Sequence, residues 1–300
     1  MNNPGWVDLQ VNGCVGVDFS SPDLTADAFL RAAEWMLESG TALFLPTVIT
    51  SAPELYRRNL PLILETVRTH GLEREIPGLH LEGPFLSPGA IGSHNPAWTL
   101  PPTPEAVDAL CDLTEGFLRL ITLGADTPGA PEAIRRLRER GVAISVGHHL
   151  AGSAEIAAAA EAGAAALTHL GNGVPNLLDR HRNPIWAGLA EDRLTAMLIT
   201  DGHHLPAELI KVMLRVKGAE RVIVTSDTSS AAGLPPGPCR VLGNDAILEP
   251  DGRLHNPAKQ CLVASASTLS QCMAFLESLE LLNEEELRRV GRENALRLIS

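Results

Sequence analysis

Residues 79–85 read LHLEGPF, and this stretch decides the fold. A short apolar run that reads as a β-strand ends on a carboxylate, Glu82, and runs into Gly83 and Pro84. Three other runs repeat the pattern. ISVGHH (144–149) leads to His148, ALTHLGN (166–172) carries His169, and VIVTSD (222–227) ends on Asp227. A carboxylate and two imidazoles on separate strands make a metal site. A further aspartate on a later strand makes a base beside it. The pattern therefore predicts a metal-dependent hydrolase.

Working outward, apolar strand-like runs alternate with amphipathic stretches of helical period. The strands are expected at 6–11, 42–46, 77–82, 117–122, 142–147, 165–169, 194–199 and 221–226, and helices at 25–39, 53–69, 129–140, 153–162 and 206–217. Thr25, Ser51 with Pro53, and Ser153 supply helix start signals. Eight such units predict a (β/α)8 TIM barrel. An open doubly wound sheet is the alternative. Gln10, Asn12, Glu82, His148, His169, Asp201 and Asp227 fall at or just past strand C-termini. Barrel enzymes carry their chemistry on that face, whereas an open sheet gathers it at one switch point. Residues 1–300 are read as a single barrel domain, with a Pro- and Gly-rich β-hairpin excursion at about 234–262 and closing helices at about 266–279 and 283–298.

Composition narrows the function. The net charge is −12, with no basic stripe to neutralise phosphates, which excludes a nucleic-acid partner. Aromatic residues are only 4% of the chain, so the core must be built from Ala, Leu, Ile and Val. The Ala-rich stretch near 156–168 is broken by Glu161 and Gly163, and no membrane span is expected. Five scattered cysteines without a C-x-x-C pair suggest reduced thiols and a cytoplasmic protein.

Catalytic zinc takes three protein ligands and leaves one position open, which Glu82, His148 and His169 satisfy in type. For any one histidine alone, a hydrogen-bonded core residue is the plainer reading. Asp227 could equally cap the turn that follows it. The segment GPFLSPGAIGSHNP (83–96) reads as an ordered loop over the site with His94 at its far end. Asn172 and Gly173 follow His169, where a backbone N–H could meet an anion. Arg180 and Arg182 read first as solvated charge, and second as a phosphate grip.

These motifs, PGWVDLQVNG (4–13), FLPTVITS (44–51), GLHLEGPFLSP (78–88) with GSHNP (92–96), VGHH (146–149), THLGNGVP (168–175), TDGHH (200–204) and VTSDTSSAAGLP (224–235), resemble the amidohydrolase superfamily and more closely its N-acetylglucosamine-6-phosphate deacetylases. The resemblance covers nearly all of the chain. It implies metal binding by Glu82, His148 and His169, a catalytic Asp227, and a carbonyl-polarising His94. His204, Asn172 and the Gly173 backbone would meet the sugar phosphate, as would Arg180 or Arg182. Many members of the superfamily carry His-x-His on the first strand. Here Gln10 and Asn12 stand as vestiges of that pair, which implies a single divalent metal, Zn2+. The family's small β-sandwich is expected to be largely missing, and the loop NLLDRHRNP (176–184) departs from the family's, as does THLGNGVP.

Three readings follow. The first is a deacetylase of an N-acetylated amino sugar, N-acetylglucosamine 6-phosphate above all, acting as a soluble homodimer. The second is an amidase for an unphosphorylated N-acyl compound such as an N-acyl amino acid. The third is a sugar-binding barrel without turnover, which the complete set of metal and base residues opposes.

Overall fold

Strand and helix alternate through the whole barrel because each strand is apolar on its outward face and each helix has one apolar stripe to lay against it. The computed structural model describes residues 5–300. Its barrel strands are β1 (Trp6–Val11), β2 (Thr41–Ile49), β3 (Leu79–Glu82), β4 (Leu118–Leu123), β5 (Ala143–Val146), β6 (Ala166–Leu167), β7 (Thr195–Leu198) and β8 (Val222–Val224). They are parallel, and neighbours in sequence are neighbours in the sheet. The helices are α1 (Ala26–Glu38), α2 (Pro53–Thr69), α3 (Pro104–Leu113), α4 (Ala130–Glu139), α5 (Ser153–Ala162), α6 (Pro184–Ala190), α7 (Ala207–Lys217) and α8 (Leu269–Ser278). A last helical stretch runs from Glu284 to Ile299 through a π turn at Arg289–Glu293. The TIM barrel is confirmed and the open sheet excluded.

The start signals hold unevenly. The Thr25 side chain caps α1 by accepting from the Ala28 N–H. Ala52 precedes α2 with no side-chain cap. At α5 the residue before Ser153 is the cap: the Glu155 carboxylate accepts from the Gly152 N–H at 2.6 Å.

Side-chain alternation stratifies the barrel interior. Its lower layer is apolar: Val7, Leu9, Leu45, Leu120, Ala166, Met197 and Ile223 pack on Ala295 of the last helix. Two residues further along the strands the inward positions turn polar. The His80 Nε2 lies 2.9 Å from Thr122 Oγ1, Thr122 lies 2.7 Å from Thr168 Oγ1, and Thr168 donates to Ser145 Oγ at 2.6 Å. His80 Nδ1–H donates to Leu9 O at 2.9 Å, and burial pushes this imidazole down to about 4, so it is neutral. One further step up the strands come Glu82, His148, His169 and Asp227.

The seam between β8 and β1 closes in an unusual way. Its backbone contact is short: Asn12 N–H donates to Thr228 O at 2.7 Å, beside a parallel bridge between Val11 and Thr228. Below it the buried Asp8 carboxylate accepts from Thr225 Oγ1 at 2.8 Å, from Ser226 N at 3.1 Å, and from the Ser226 hydroxyl. Burial pushes the Asp8 carboxyl up against the pull of these donors. A side chain thus substitutes for the missing ladder.

The excursion after β8 is larger than the expected hairpin. It is a four-stranded antiparallel sheet, β9 (Gly237–Val241), β10 (Asn244–Leu248), β11 (Leu254–Asn256) and β12 (Cys261–Leu262), with its own apolar cluster of Ala231, Val241, Ala246, Leu248, Leu254 and Val263. Its strands lack the continuous apolar runs that mark the barrel strands, and the Pro, Gly and turn signals between them read only as one hairpin.

Asp8→Ala leaves four buried donors without an acceptor, the Gln10 N–H among them. It is expected to lower the unfolding free energy by about 3 kcal/mol in a urea titration. A loss below about 1 kcal/mol would mean that the seam does not depend on this carboxylate.

Candidate active site

Glu82 ends β3 with its carboxylate buried at the barrel mouth, and the site is assembled on it. The Glu82 Oε1 lies 2.8 Å from His169 Nε2, 3.1 Å from His148 Nε2, and 3.0 Å from the Gln10 side-chain amide, which donates to it. Burial by itself would raise this carboxyl, but the hydrogen bonds of the two histidines outweigh it and hold Glu82 well below the ordinary carboxylate range.

The histidine geometry shows why a cation fits. His148 Nδ1–H donates to Ala90 O at 2.9 Å, so in the neutral ring Nε2 turns its lone pair toward Glu82. Between this nitrogen and Glu82 Oε1, 3.1 Å apart, stands either the proton whose hydrogen bond lowers Glu82 or a metal ion that replaces it. The Glu82, His148 and His169 ligand atoms all lie within 4.8 Å of one another. All three residues are buried, and a carboxylate with two imidazoles is a donor set for a divalent metal.

The backbone is strained where this happens. His148, His169 and Asp227 have φ of 51°, 28° and 52°, in the left-handed region that non-glycine residues seldom occupy. Each turns its side chain inward just past a strand end. Gly173 (φ 65°) makes room above them: a Cβ there would stand 2.9 Å from His169 Cε1 and 3.0 Å from His148 Cε1.

Asp227 is bound on one oxygen only. Asn12 Nδ2 donates to its Oδ1 at 2.7 Å and Gln10 Nε2 at 3.0 Å. Burial, then the Glu82 charge, push this carboxyl up to about 8. The amides of β1 thus donate to carboxylates, and Gln10 bridges Glu82 and Asp227. His94 reaches in from the β3–α3 loop, its Nε2 3.3 Å from His148 Nε2 and 3.7 Å from Glu82 Oε2. Burial and then His148 push it down to about 3, so the ring is neutral.

A cavity of about 640 Å³ opens above these groups. Glu82, His94, His148, His169, Asn172, Gly173, His204 and Asp227 all line it. Arg180 and Arg182 do not; both are exposed in the β6–α6 loop, where Arg182 N–H donates to Asp179 Oδ1 at 2.7 Å. Conversely, Arg253, His255 and Cys261 of the antiparallel sheet line the cavity, and sequence reading assigned them nothing. Their signal was hidden because the sheet itself was legible only as a turn-rich excursion.

Asp201 was visible as a polar residue past a strand end, but without a role. Its Oδ1 accepts from the N–H groups of His203 and His204 at 2.9 Å each, and its Oδ2 takes His204 Nδ1–H at 2.8 Å. This leaves His204 Nε2 for the cavity. Burial alone would raise the Asp201 carboxyl, yet His204 and these N–H groups outweigh it and hold the carboxyl far below its usual range.

Comparison with known proteins agrees with this geometry. The pattern of the amidohydrolase family matches residues 3–236. The chain is 33% identical over 285 residues to N-acetylglucosamine-6-phosphate deacetylase of Danio rerio, covering 90% of this chain and 68% of that protein. It is 31% identical over 243 residues to N-acetylgalactosamine-6-phosphate deacetylase of Escherichia coli O157:H7, covering 81% and 63%. Its fold matches the solved N-acetyl-D-glucosamine-6-phosphate deacetylase of Mycobacterium smegmatis, in complex with N-acetyl-D-glucosamine-6-phosphate, with a TM-score of 0.90 and 28% identity over 99% of this chain and 77% of that one. This chain spans about two thirds of the length of these curated relatives.

A carboxyl whose folded-state pKa is depressed contributes stability that is present above its unfolded value and lost as pH falls through the folded one. Asp201→Asn should therefore cost about 1–2 kcal/mol in urea titrations above pH ~5, with the difference from wild type narrowing below pH ~4. A difference that stays flat down to pH ~2.5 would contradict the charged role of Asp201.

Proposed function

The chain belongs to the amidohydrolase family, and within it to the N-acetylglucosamine-6-phosphate deacetylases, and from that premise we propose that it hydrolyses the acetamide of N-acetylglucosamine 6-phosphate to glucosamine 6-phosphate and acetate. The observation that carries the reading is the division of labour between two carboxylates: Glu82 faces the two histidines, while Asp227 is held through Oδ1 alone. Glu82, His148 and His169 would hold a single zinc ion, which when bound lowers the pKa of a water toward ~7, polarises a carbonyl, and offsets the Glu82 repulsion that raises Asp227.

The remaining work falls to this chain's own groups. With Oδ1 fixed by two amides, Asp227 presents Oδ2 to take a proton from the attacking water. It then delivers that proton to the departing amine nitrogen. The neutral His94 ring donates an N–H to the acetamide oxygen as negative charge gathers there. No covalent intermediate is required. Asn172, the Gly173 N–H and His204 hold the sugar and its 6-substituent. The amides at positions 10 and 12 support a single-metal site, since they donate to carboxylates where a His-x-His pair would bind a second ion.

A cytoplasmic homodimer belongs to the same proposal. The cysteines are free, and the 92%-exposed Leu177 of the β6–α6 loop and the half-exposed Trp186 of α6 offer apolar surface that a second copy would cover. No helix among the described residues is long and apolar enough to cross a membrane.

The test is acetate release from N-acetylglucosamine 6-phosphate by the metal-loaded protein, and absence of release would sink the reading. Asp227→Asn should lower kcat by about 10³-fold while leaving bound metal unchanged. Glu82→Ala or His169→Ala should instead lose the metal itself, read by elemental analysis after gel filtration. Release from N-acetylgalactosamine 6-phosphate at a higher kcat/KM would change the sugar and keep the chemistry.

A further inference from the structure

The working nitrogen of an imidazole is commonly set by the hydrogen bond that the other nitrogen makes. His94 has no such support. Its Nε2 lies 3.3 Å from His148 Nε2, and among the described residues its buried Nδ1 meets no hydrogen-bond partner. The ring is therefore held by its edge-on contact with His148 and by its own backbone. That backbone is fixed on both sides of the Ser93–His94 peptide. The His94 N–H donates to Ile91 O at 3.2 Å, and Ser93 O accepts from Asn244 Nδ2 at 3.1 Å. The first bond is local to the β3–α3 loop. The second comes from the antiparallel sheet, 151 residues further along the chain.

Asn244 is the first residue of β10, buried, and pairs with Val241 across the Leu242–Gly243 turn. Leu242 and Gly243 have φ of 50° and 76°, the positive values that a two-residue hairpin loop requires. Asparagine commonly takes the first of these places, and a leucine there is strained. Leu242 is pinned on both sides. The Asp18 carboxylate accepts its N–H, and its carbonyl accepts from Asn244 Nδ2 at 3.0 Å. Lys259 Nζ donates to Asn244 Oδ1 at 2.6 Å. An ammonium has donors only, so this contact commits Oδ1 and turns Nδ2 toward the two carbonyls. The backbone under Lys259 is itself fixed, since Asn256 Oδ1 accepts from the N–H groups of Ala258 and Lys259 at 3.0 Å each. One amide, in one orientation, thus joins the sheet to the peptide that carries His94.

We propose that Asn244 is a positioning residue for His94: by holding the Ser93 carbonyl, with Lys259 fixing its amide, it sets the His94 ring above Glu82 and His148. The appended sheet then takes part in the reaction through a backbone contact and without touching the acetamide. This rests on the deacetylase reading for what the His94 ring does, whereas the hold on its backbone stands on the hydrogen bonds themselves.

The test uses the metal-loaded full chain. Asn244→Ala should lower kcat for N-acetylglucosamine 6-phosphate about 10- to 100-fold, with KM within about 3-fold and bound metal unchanged, because a group that acts in the transition state is misplaced. Asn244→Asp keeps the side-chain shape and the Lys259 contact but has no donor for Ser93 O, so it should lose kcat as well and carries the test if the alanine variant does not fold. Asp245→Ala, at the exposed next position of the same strand, should keep wild-type kcat. In a His94→Gln background Asn244→Ala should cost less than about 2-fold more, since its effect passes through His94. Independently of turnover, hydrogen exchange of residues 91–95 should quicken about 10-fold in Asn244→Ala with the barrel strands unchanged. If wild type releases acetate and both Asn244 variants keep kcat, or if Asn244→Ala costs as much in the His94→Gln background as in wild type, the inference falls and the deacetylase reading stands. Unchanged exchange at 91–95 overturns it too. If wild type releases no acetate, the deacetylase reading falls, and the exchange measurement alone decides whether Asn244 holds His94 in place.

Discussion

A buried carboxylate at the mouth of the barrel sets the terms for everything around it. Glu82 is 3% exposed and must be compensated, because an unpaired charge in such surroundings costs several kcal/mol. Two imidazoles and an amide converge on its Oε1 for that reason. The metal-binding geometry and the electrostatics of Asp227 both follow from it. Asp227 is raised because it is buried away from water and, second, because Glu82 is near. The tautomer of His148 follows as well, since its other nitrogen is committed to Ala90 O.

The rest of the fold holds that carboxylate in place. Beneath it the polar layer of His80, Thr122, Thr168 and Ser145 ties four strands together, and beneath that the apolar layer closes on the last helix. The seam at Asp8 keeps β1 against β8, so that Gln10 and Asn12 from one strand can meet Asp227 from the other. The left-handed backbone at His148, His169 and Asp227 is tolerated because their side chains are over-determined by these contacts. The strained backbone and the buried cluster at the cavity floor coincide at the same three positions.

The antiparallel sheet after β8 has a different purpose from the barrel. It has its own small core, and it brings Arg253, His255 and Cys261 to the wall of the cavity. A latch joins it to the loop that carries His94: Asn244 Nδ2 donates to Ser93 O at 3.1 Å, and Lys259 Nζ donates to Asn244 Oδ1 at 2.6 Å. The buried Glu82, His148, His169 and Asp227 thus come from strand ends of the barrel, whereas part of the cavity wall comes from an appended element.

The barrel, and the cluster of Glu82, His148 and His169 that could hold a metal, were legible from sequence because both depend on local pattern. Short apolar runs mark strands, and Glu82, His148, His169 and Asp227 each stand at the end of such a run or just past it. Chain order alone then puts them on one face, since parallel strands all end on the same side. What sequence could not show are distances between segments far apart along the chain. That Gln10 bridges Glu82 and Asp227, that Asp8 closes the seam, and that Arg180 and Arg182 miss the cavity while Arg253 lines it were decided by tertiary structure. These depend on side-chain packing across 72 to 218 residues of separation, for which no local periodicity exists.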